Sequence, residues 1–426
     1  MIPAFLFLSF NALLLAGMPA AYAMGAATLG ALLLGGYPLQ VIPQILARSV
    51  MNQSVLAVPL FILAGNIMNR MGLTERIFRF ARAMAGHLPG GLAHVNIIAS
   101  VIFAGISGSA AADCAGLGPM EIRAMTAAGY RKPFSAALTV ASSCVGPIIP
   151  PSIPFIVYGV LAEVSIARLF LGGFLPGLLI AFLLMATVHI HVLLGREHCP
   201  VDPRTPWRKR IRAFREGFAA LLTPVVIVGG MAGGILTPGE AGIAAVLCSL
   251  AAGAFHGHLR LSECREILEE TVLSSAHVLV LLGMASVFGY VLTQERTPVL
   301  LAEWILSFTK DRNLVLLLIL LVLLLVGCFM SGTAALIVLT PVFLPLVKEF
   351  GIDLVHFGLV MTLGLTIGIA TPPVGIGLFI VSDVAEIEFG ELVRATLPFL
   401  VPLSAALLLV TYFPEIVLFL PKLLMG

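Results

Sequence analysis

Two short runs in this sequence carry hydroxyls at the same spacing, Ser107-Gly108-Ser109-Ala110 and Ser331-Gly332-Thr333-Ala334. Each is followed by an apolar stretch broken by prolines: Gly146-Pro147-Ile148-Ile149-Pro150-Pro151 after the first, Gly368-Ile369-Ala370-Thr371-Pro372-Pro373 after the second. Proline removes a backbone donor and clashes with the preceding turn, so each break frees carbonyl oxygens. The hydroxyls of Ser107, Ser109, Ser142, Ser143, Ser331, Thr333, Thr366 and Thr371 add to them, beside the bare backbone of Gly108, Gly146, Gly332 and Gly368. Hard, neutral oxygens of this kind suit a sodium ion. Helix N-termini next to the same breaks present free N–H groups and partial positive charge, which suits a carboxylate. The candidate contacts for such an anion are Ser107, Pro147, Pro150, Pro151, Ser152, Ser331, Pro372, Pro373 and Gly375. Asp113, one turn past the first hydroxyl run, joins them, because an intramembrane carboxylate is a functional candidate by default.

These residues need a particular setting. Of the 426 residues, 59% are hydrophobic and only 11% are charged, with a mean hydropathy of +1.08. A soluble chain carries roughly 25% charged residues. This composition therefore describes an all-α polytopic membrane protein, whose apolar segments have the length of helical spans and not of barrel strands. A net charge of +2 gives no reason to expect nucleic acid. The six cysteines include no CxxC pair and the histidines form no ligand cluster, so no transition metal, cofactor or redox centre is indicated. No GxxxxGK[S/T] loop is present, so the driving energy must come from an ion gradient or a partner.

Taken in order, the sequence predicts spans at Ile2–Met18 (a retained first helix, since it lacks the basic start of a signal peptide), Ala20–Gly36 and Val50–Met68. Arg76, Arg79 and Arg82, spaced by three, predict an amphipathic interfacial helix within Asn69–Gly91. Leu92–Met125 is interrupted near its middle, and each half is too short to span, so a re-entrant hairpin with Ser107–Ser109 at its tip is expected. Phe134–Glu163 should be one discontinuous helix, followed by a span at Ile166–Leu194. The loop Gly195–Glu216 holds seven Lys/Arg against three acids and is expected on the cytoplasmic side. Spans at Phe218–Leu236, Gly239–Phe255 and Thr271–Thr293 follow, with a basic cytoplasmic turn at His256–Arg265 and a connector at Gln294–Arg312. A second hairpin at Leu314–Lys348, a second broken helix at Leu354–Val384 and a last segment at Phe389–Leu420 complete the chain.

The second half thus repeats the first. Five crossings in each half would make the repeats inverted, with scaffold helices in 1–91 and 217–312 and transport halves in 92–194 and 313–426. Two tips and two breaks would then meet near the midplane. This is the layout of a secondary transporter. An anion entering against an inside-negative potential costs about 2.3 kcal/mol per charge per 100 mV, which co-transported sodium would offset.

The runs Leu56–Gly72 (LAVPLFILAGNIMNRMG), Gly86–Asn96 (GHLPGGLAHVN), Phe103–Asp113 (FAGISGSAAAD) and Gly146–Gly159 (GPIIPPSIPFIVYG) closely resemble the large membrane subunit of TRAP (tripartite ATP-independent periplasmic) transporters. The likeness covers essentially the whole chain, with Ala111 where the family often has valine. It implies sodium-coupled uptake of an organic anion, often a carboxylate, by an elevator movement in the bacterial inner membrane. It also implies a periplasmic substrate-binding protein and a small membrane subunit of about four helices, expected here on a separate polypeptide. By resemblance, the sodium sites fall at Ser107–Ser109 with Ser142–Gly146, and at Ser331–Thr333 with Thr366–Thr371.

Two other classes fit parts of the pattern. Gly105-Ile106-Ser107-Gly108 reads as the GxSG of an intramembrane serine protease, with His277 as its base, but the motif recurs at Ser331 without a second histidine. A stand-alone ion exchanger of the same inverted architecture would need no partner protein.

Overall fold

The structure, a computed structural model, describes every residue except 198, 256–260, 298, 299, 301, 302 and 304–308. His256, His258 and Arg260 of the expected basic turn, and much of the connector, lie outside the described residues. The described residues hold helices and no strand. In order these are α1 (Ile2–Leu15), α2 (Ala20–Leu34), α3 (Val41–Val50), α4 (Ala57–Arg70), α5 (Leu73–Ala85), α6 (Gly91–Ser107), α7 (Ala110–Gly116), α8 (Gly118–Ala127), α9 (Lys132–Ser143), α10 (Ile153–Ala162) and α11 (Ile166–Leu193). The second half holds α12 (Trp207–Ala232), α13 (Pro238–Phe255), α14 (Leu261–Gln294), α15 (Arg312–Phe329), α16 (Gly332–Glu349), α17 (Leu354–Gly368), α18 (Ile376–Ala385), α19 (Phe389–Tyr412) and α20 (Glu415–Met425).

Among the described residues, five helices are long and apolar enough to cross a membrane alone, or seven spans if each bent pair counts as one. Helix α15 has a mean hydropathy of 2.7, yet only 39% of it is buried inside the protein. Leu318, Leu321 and Leu325 stand exposed along it. Such a surface is stable against lipid and not against water.

Helix boundaries depart from the expected ones where short polar residues or prolines compete with the helix. The span expected at Val50–Met68 is a short turn leading into α4, and α3, which ends at Val50, meets it at 57°. The reason is Asn52, whose side chain accepts from the Ser54 N–H at 2.9 Å and opens a 3-10 turn, Gln53–Leu56. Helix α12 reaches back to Trp207, so half of the expected basic loop is helical. Pro414 divides the expected last segment into α19 and α20.

Helix α5 is amphipathic, with Ile77, Phe78 and Ala81 buried against α6 and α12. On its other face Arg82 grips Asp202 through Nε–Oδ2 at 2.7 Å and Nη2–Oδ1 at 3.1 Å. This pair holds the connecting segment before α12 against α5. Arg76 departs from the expected pattern, since it is only 9% exposed.

The broken helices form the centre of the molecule. Phe155, Tyr158 and Phe170 from the first half and Phe357 and Phe399 from the second are all fully buried, and Phe399 packs on Phe134 of the first half at 5.7 Å between ring centres. Gly358 lies against the Tyr158 ring, where no side chain would fit. The Tyr158 hydroxyl donates to the Leu354 carbonyl oxygen at 2.8 Å, joining α10 to α17. Tyr158→Phe is expected to cost about 1 kcal/mol, because it removes the hydrogen bond that joins α10 to α17. Thermal unfolding of the purified protein in detergent measures it, and an unchanged midpoint would show that the bond contributes nothing.

Candidate functional site

The first hydroxyl run is a sharp reversal. Helix α6 ends at Ser107, Gly108 adopts the left-handed conformation (φ 58°), and α7 leaves at 120° to α6. Ser109 caps α7 by accepting the Ala112 N–H at 3.4 Å. The tip touches the first break directly. A Cβ on Gly108 would sit 2.5 Å from the Pro151 carbonyl oxygen, and one on Gly146 would sit 3.2 Å from the Ser109 carbonyl carbon. Glycine at both positions is what lets backbone meet backbone here.

The second half builds the same contact with different residues. Helix α15 ends at Phe329, Met330 is extended, and Ser331 caps α16 by accepting the Ala334 N–H at 3.4 Å. Capping therefore equates Ser331 with Ser109 and not with Ser107, a shift of two residues from the sequence match. Gly332 and Thr333 consequently lie within α16. The close approach to the second break is made by Gly327, whose Cβ would be 2.6 Å from the Leu365 carbonyl oxygen. Gly368 reciprocates, with its Cβ 2.5 Å from the Gly327 backbone. The Gly375 N–H donates to the Cys328 carbonyl oxygen at 2.9 Å, tying the far end of the break to α15.

The breaks themselves match. Residues 144–152 and 369–375 are irregular, and both the Pro150-Pro151 and Pro372-Pro373 bonds are cis. The new helices start differently: Ser152 caps α10 by accepting the Phe155 N–H at 3.3 Å, whereas left-handed Gly375 (φ 59°) precedes α18.

Both halves contribute to one cavity of about 540 Å³, counted to its mouth. Ser109 and Pro147 come from the first half, and Ser331, Gly332, Thr333 and Thr366 from the second. A second cavity of about 820 Å³ adjoins it, where Ser107, Gly108 and Ser109 face Asn66 and Asn69 of α4 and Ser274 of α14. Thr333 lines both cavities.

The hydroxyls are prepared as acceptors. Thr366 donates to the Thr362 carbonyl oxygen at 2.7 Å and Thr371 to that of Ile367 at 2.8 Å. With the proton spent on the helix, each oxygen keeps lone pairs free to accept, although only Thr366 of the two lines a main cavity. The Ser107 hydroxyl is buried with no partner in the protein. Such a group costs stability unless something binds it.

Several expected residues do not line these two cavities. Ser142 and Ser143 are fully buried, and their hydroxyls turn toward Asn96 and the Val140 carbonyl oxygen. Ser152 donates to Pro147 across the break, and the Pro150, Pro151, Pro372 and Pro373 side chains line neither main cavity. Asp113 lines neither as well. It is 1% exposed, and both of its carboxylate oxygens lack a hydrogen-bond partner. Sequence reasoning missed Thr362, which lines the first cavity, and Asn66 and Asn69, which line the second. Thr362 lies one turn before Thr366 on α17, and Asn66 and Asn69 lie within α4, so no proline or paired hydroxyl run stands at any of the three.

A family model for the DctM component of the tripartite ATP-independent periplasmic transporter matches residues 7–416. The chain belongs to the DctM family of TRAP transporter permeases. It is 42% identical over 416 residues to the sialic acid TRAP transporter large permease protein SiaM of Vibrio cholerae, with 97% of each chain covered. It is 37% identical to the C4-dicarboxylate large permease DctM of Pseudomonas aeruginosa, over 87% of each chain. It is 39% identical to the isethionate permease DctMQ of Oleidesulfovibrio alaskensis, covering 97% of this chain and 65% of that protein. Among solved structures, its fold is like that of the Alcanivorax borkumensis YdaH transporter (TM-score 0.56, 17% identity, 86% and 87% covered). It is also like Neisseria gonorrhoeae MtrF (TM-score 0.58, 12% identity, 88% and 83% covered). As a DctM-family chain it is a membrane permease and not an enzyme. His277, the base of the protease reading, is exposed on α14, with its Nδ1 2.8 Å from the Leu273 carbonyl oxygen of its own helix.

Proposed function

We propose that this DctM-family chain is the large subunit of a sodium-coupled symporter that imports an organic anion, most simply a carboxylate. The observation that carries the reading is the shared cavity, where Ser109 and Pro147 meet Ser331, Thr333 and Thr366. Neutral oxygens and capped helix starts converge there, with no cationic side chain on its lining. Sodium ions at the two tip–break contacts would supply the positive charge that an anion needs, so ion and anion would bind together. Residues 92–194 and 313–426 would move as the transport unit of an elevator, carrying both tips as re-entrant hairpins past the scaffold of 1–91 and 217–312. The basic segment 195–216 would face the cytoplasm of a bacterial inner membrane.

The relatives' names support an organic acid: sialic acid and C4-dicarboxylates are carboxylates, and isethionate is a sulfonate. A periplasmic binding protein would deliver the anion, and a small permease subunit would complete the scaffold. Proteoliposomes holding this chain with both partners should take up the anion only with an inward sodium gradient. Undiminished uptake in potassium would sink the sodium coupling, and uptake by the chain alone would favour a stand-alone exchanger.

A further inference from the structure

Behind the first break lies a buried carboxylate that the site described above does not use. Glu121, on α8, is completely buried. No cationic side chain pairs with it among the described residues. Its Oε2 accepts from Asn96 Nδ2 of α6 at 2.8 Å and lies 3.5 Å from Thr139 Oγ1 of α9. Its Oε1 has no partner in the protein. An ionised carboxylate in that position is expensive unless a positive charge is near.

The hydrogen bonds show where that charge would sit. Asn96 turns its NH₂ group toward the Glu121 carboxylate. Asn96 Nδ2 also reaches Thr139 Oγ1 at 2.8 Å, which uses its second hydrogen. The Asn96 carbonyl oxygen is thereby fixed toward Ser142 and takes the Ser142 hydroxyl proton at 2.8 Å. Ser142 Oγ in turn accepts from Ser100 at 3.1 Å and keeps one lone pair. Ser142 lies one residue from the end of α9, where the first break begins. Each bond in this chain runs in the direction that an ionised Glu121, which only accepts, would favour, although the Ser142 hydroxyl also reaches the Thr139 carbonyl oxygen at 3.2 Å and Asp113 is a second buried carboxylate beside Glu121.

We propose that Glu121 is the counter-charge and positioning residue of the first coupling-ion site, acting through Asn96 on Ser142. The inference rests on the sodium-coupled reading above and assigns that site a negative charge which its neutral ligands lack. Glutamine at 121 would keep the shape but remove the charge, and would let the Asn96 amide turn over. A sodium ion with no carboxylate nearby is held less tightly in a low-dielectric interior.

The test measures sodium-dependent uptake in proteoliposomes holding the full chain and both partners. Glu121→Gln should raise the sodium concentration for half-maximal uptake about tenfold, the size of one charge-assisted contact. The maximal rate at saturating sodium should stay within about twofold, a split that simple misfolding would not give. Ser142→Ala cuts the same connection with a smaller change and should shift the sodium requirement in the same direction. Sodium-dependent thermal stabilisation of each purified variant supplies a second readout. Wild-type sodium affinity in either variant that folds would overturn the proposal. Loss of sodium dependence in the wild-type protein would instead overturn the symport reading on which it rests.

Discussion

Alanine at position 108 is expected to abolish uptake while the protein still inserts and folds. Gly108 has φ 58°, a conformation that costs an L-residue about 1–2 kcal/mol. The added Cβ would meet the Pro151 carbonyl oxygen at 2.5 Å and the Ile153 amide nitrogen at 3.3 Å. These are backbone atoms of the first break and cannot rotate away. Overpacking of this kind adds about 1–3 kcal/mol, and it is relieved only if the tip moves off the break. That displacement would open the contact between Ser109 and Gly146 that shapes the cavity. Gly332, matched to Gly108 in sequence, is expected to behave differently. A Cβ there would lie 3.9 Å from Leu365, an ordinary contact within a helix. Gly332→Ala should therefore retain most of the uptake rate. Initial uptake rates, normalised to purified protein with a normal unfolding midpoint, check both. Equal loss at the two positions would show that the tips are equivalent after all.

The second large effect is on ion affinity. Replacing Ser107 and Ser331 together with alanine is expected to raise the half-saturating sodium concentration about 100-fold. A hydrogen-bonding oxygen beside a full charge is worth about 1.5–3 kcal/mol, and two independent sites would each lose one. The two serines differ in what else they do. Ser107 Oγ has no protein partner, so its loss should leave stability intact. Ser331 caps α16, and its loss should cost about 1 kcal/mol of stability. Single variants separate the two effects, since stability should fall only for Ser331→Ala while sodium affinity falls for both. Unchanged sodium dependence in the double variant would remove these hydroxyls from the ion site.

Much of the architecture follows from the sequence because membranes constrain backbone so strongly. Glycine and proline inside an apolar run can persist at membrane depth only where protein or a cavity satisfies the freed backbone. The interruptions at Ser107–Ser109, Gly146–Pro151, Ser331–Thr333 and Gly368–Pro373 therefore mark the breaks directly, and the structure bends or unwinds at each. Their recurrence in the same order also marks the duplication. The amphipathic α5 was legible from its arginine spacing, although the burial of Arg76 was not.

Other features depend on which element faces which, and a one-dimensional pattern does not encode that. The two tips read alike, yet Ser109 caps α7 while Ser331 caps α16, because the chain turns through left-handed Gly108 in one and through extended Met330 in the other. Ser142 stands beside a break, but its hydroxyl is drawn to Asn96, forty-six residues earlier. Nothing in the sequence around Glu121, two residues before Arg123, marks it as buried. Only the packing of α6, α8 and α9 buries it, with no cationic partner among the described residues. Composition, breaks and repeat thus determined by themselves that this is a helical membrane transporter with paired interruptions. The tertiary structure decided which hydroxyls reach the cavity and which carboxylates stand behind it. Hydroxyl direction and carboxylate burial are properties of three-dimensional neighbours, fixed only once helices distant in sequence have packed.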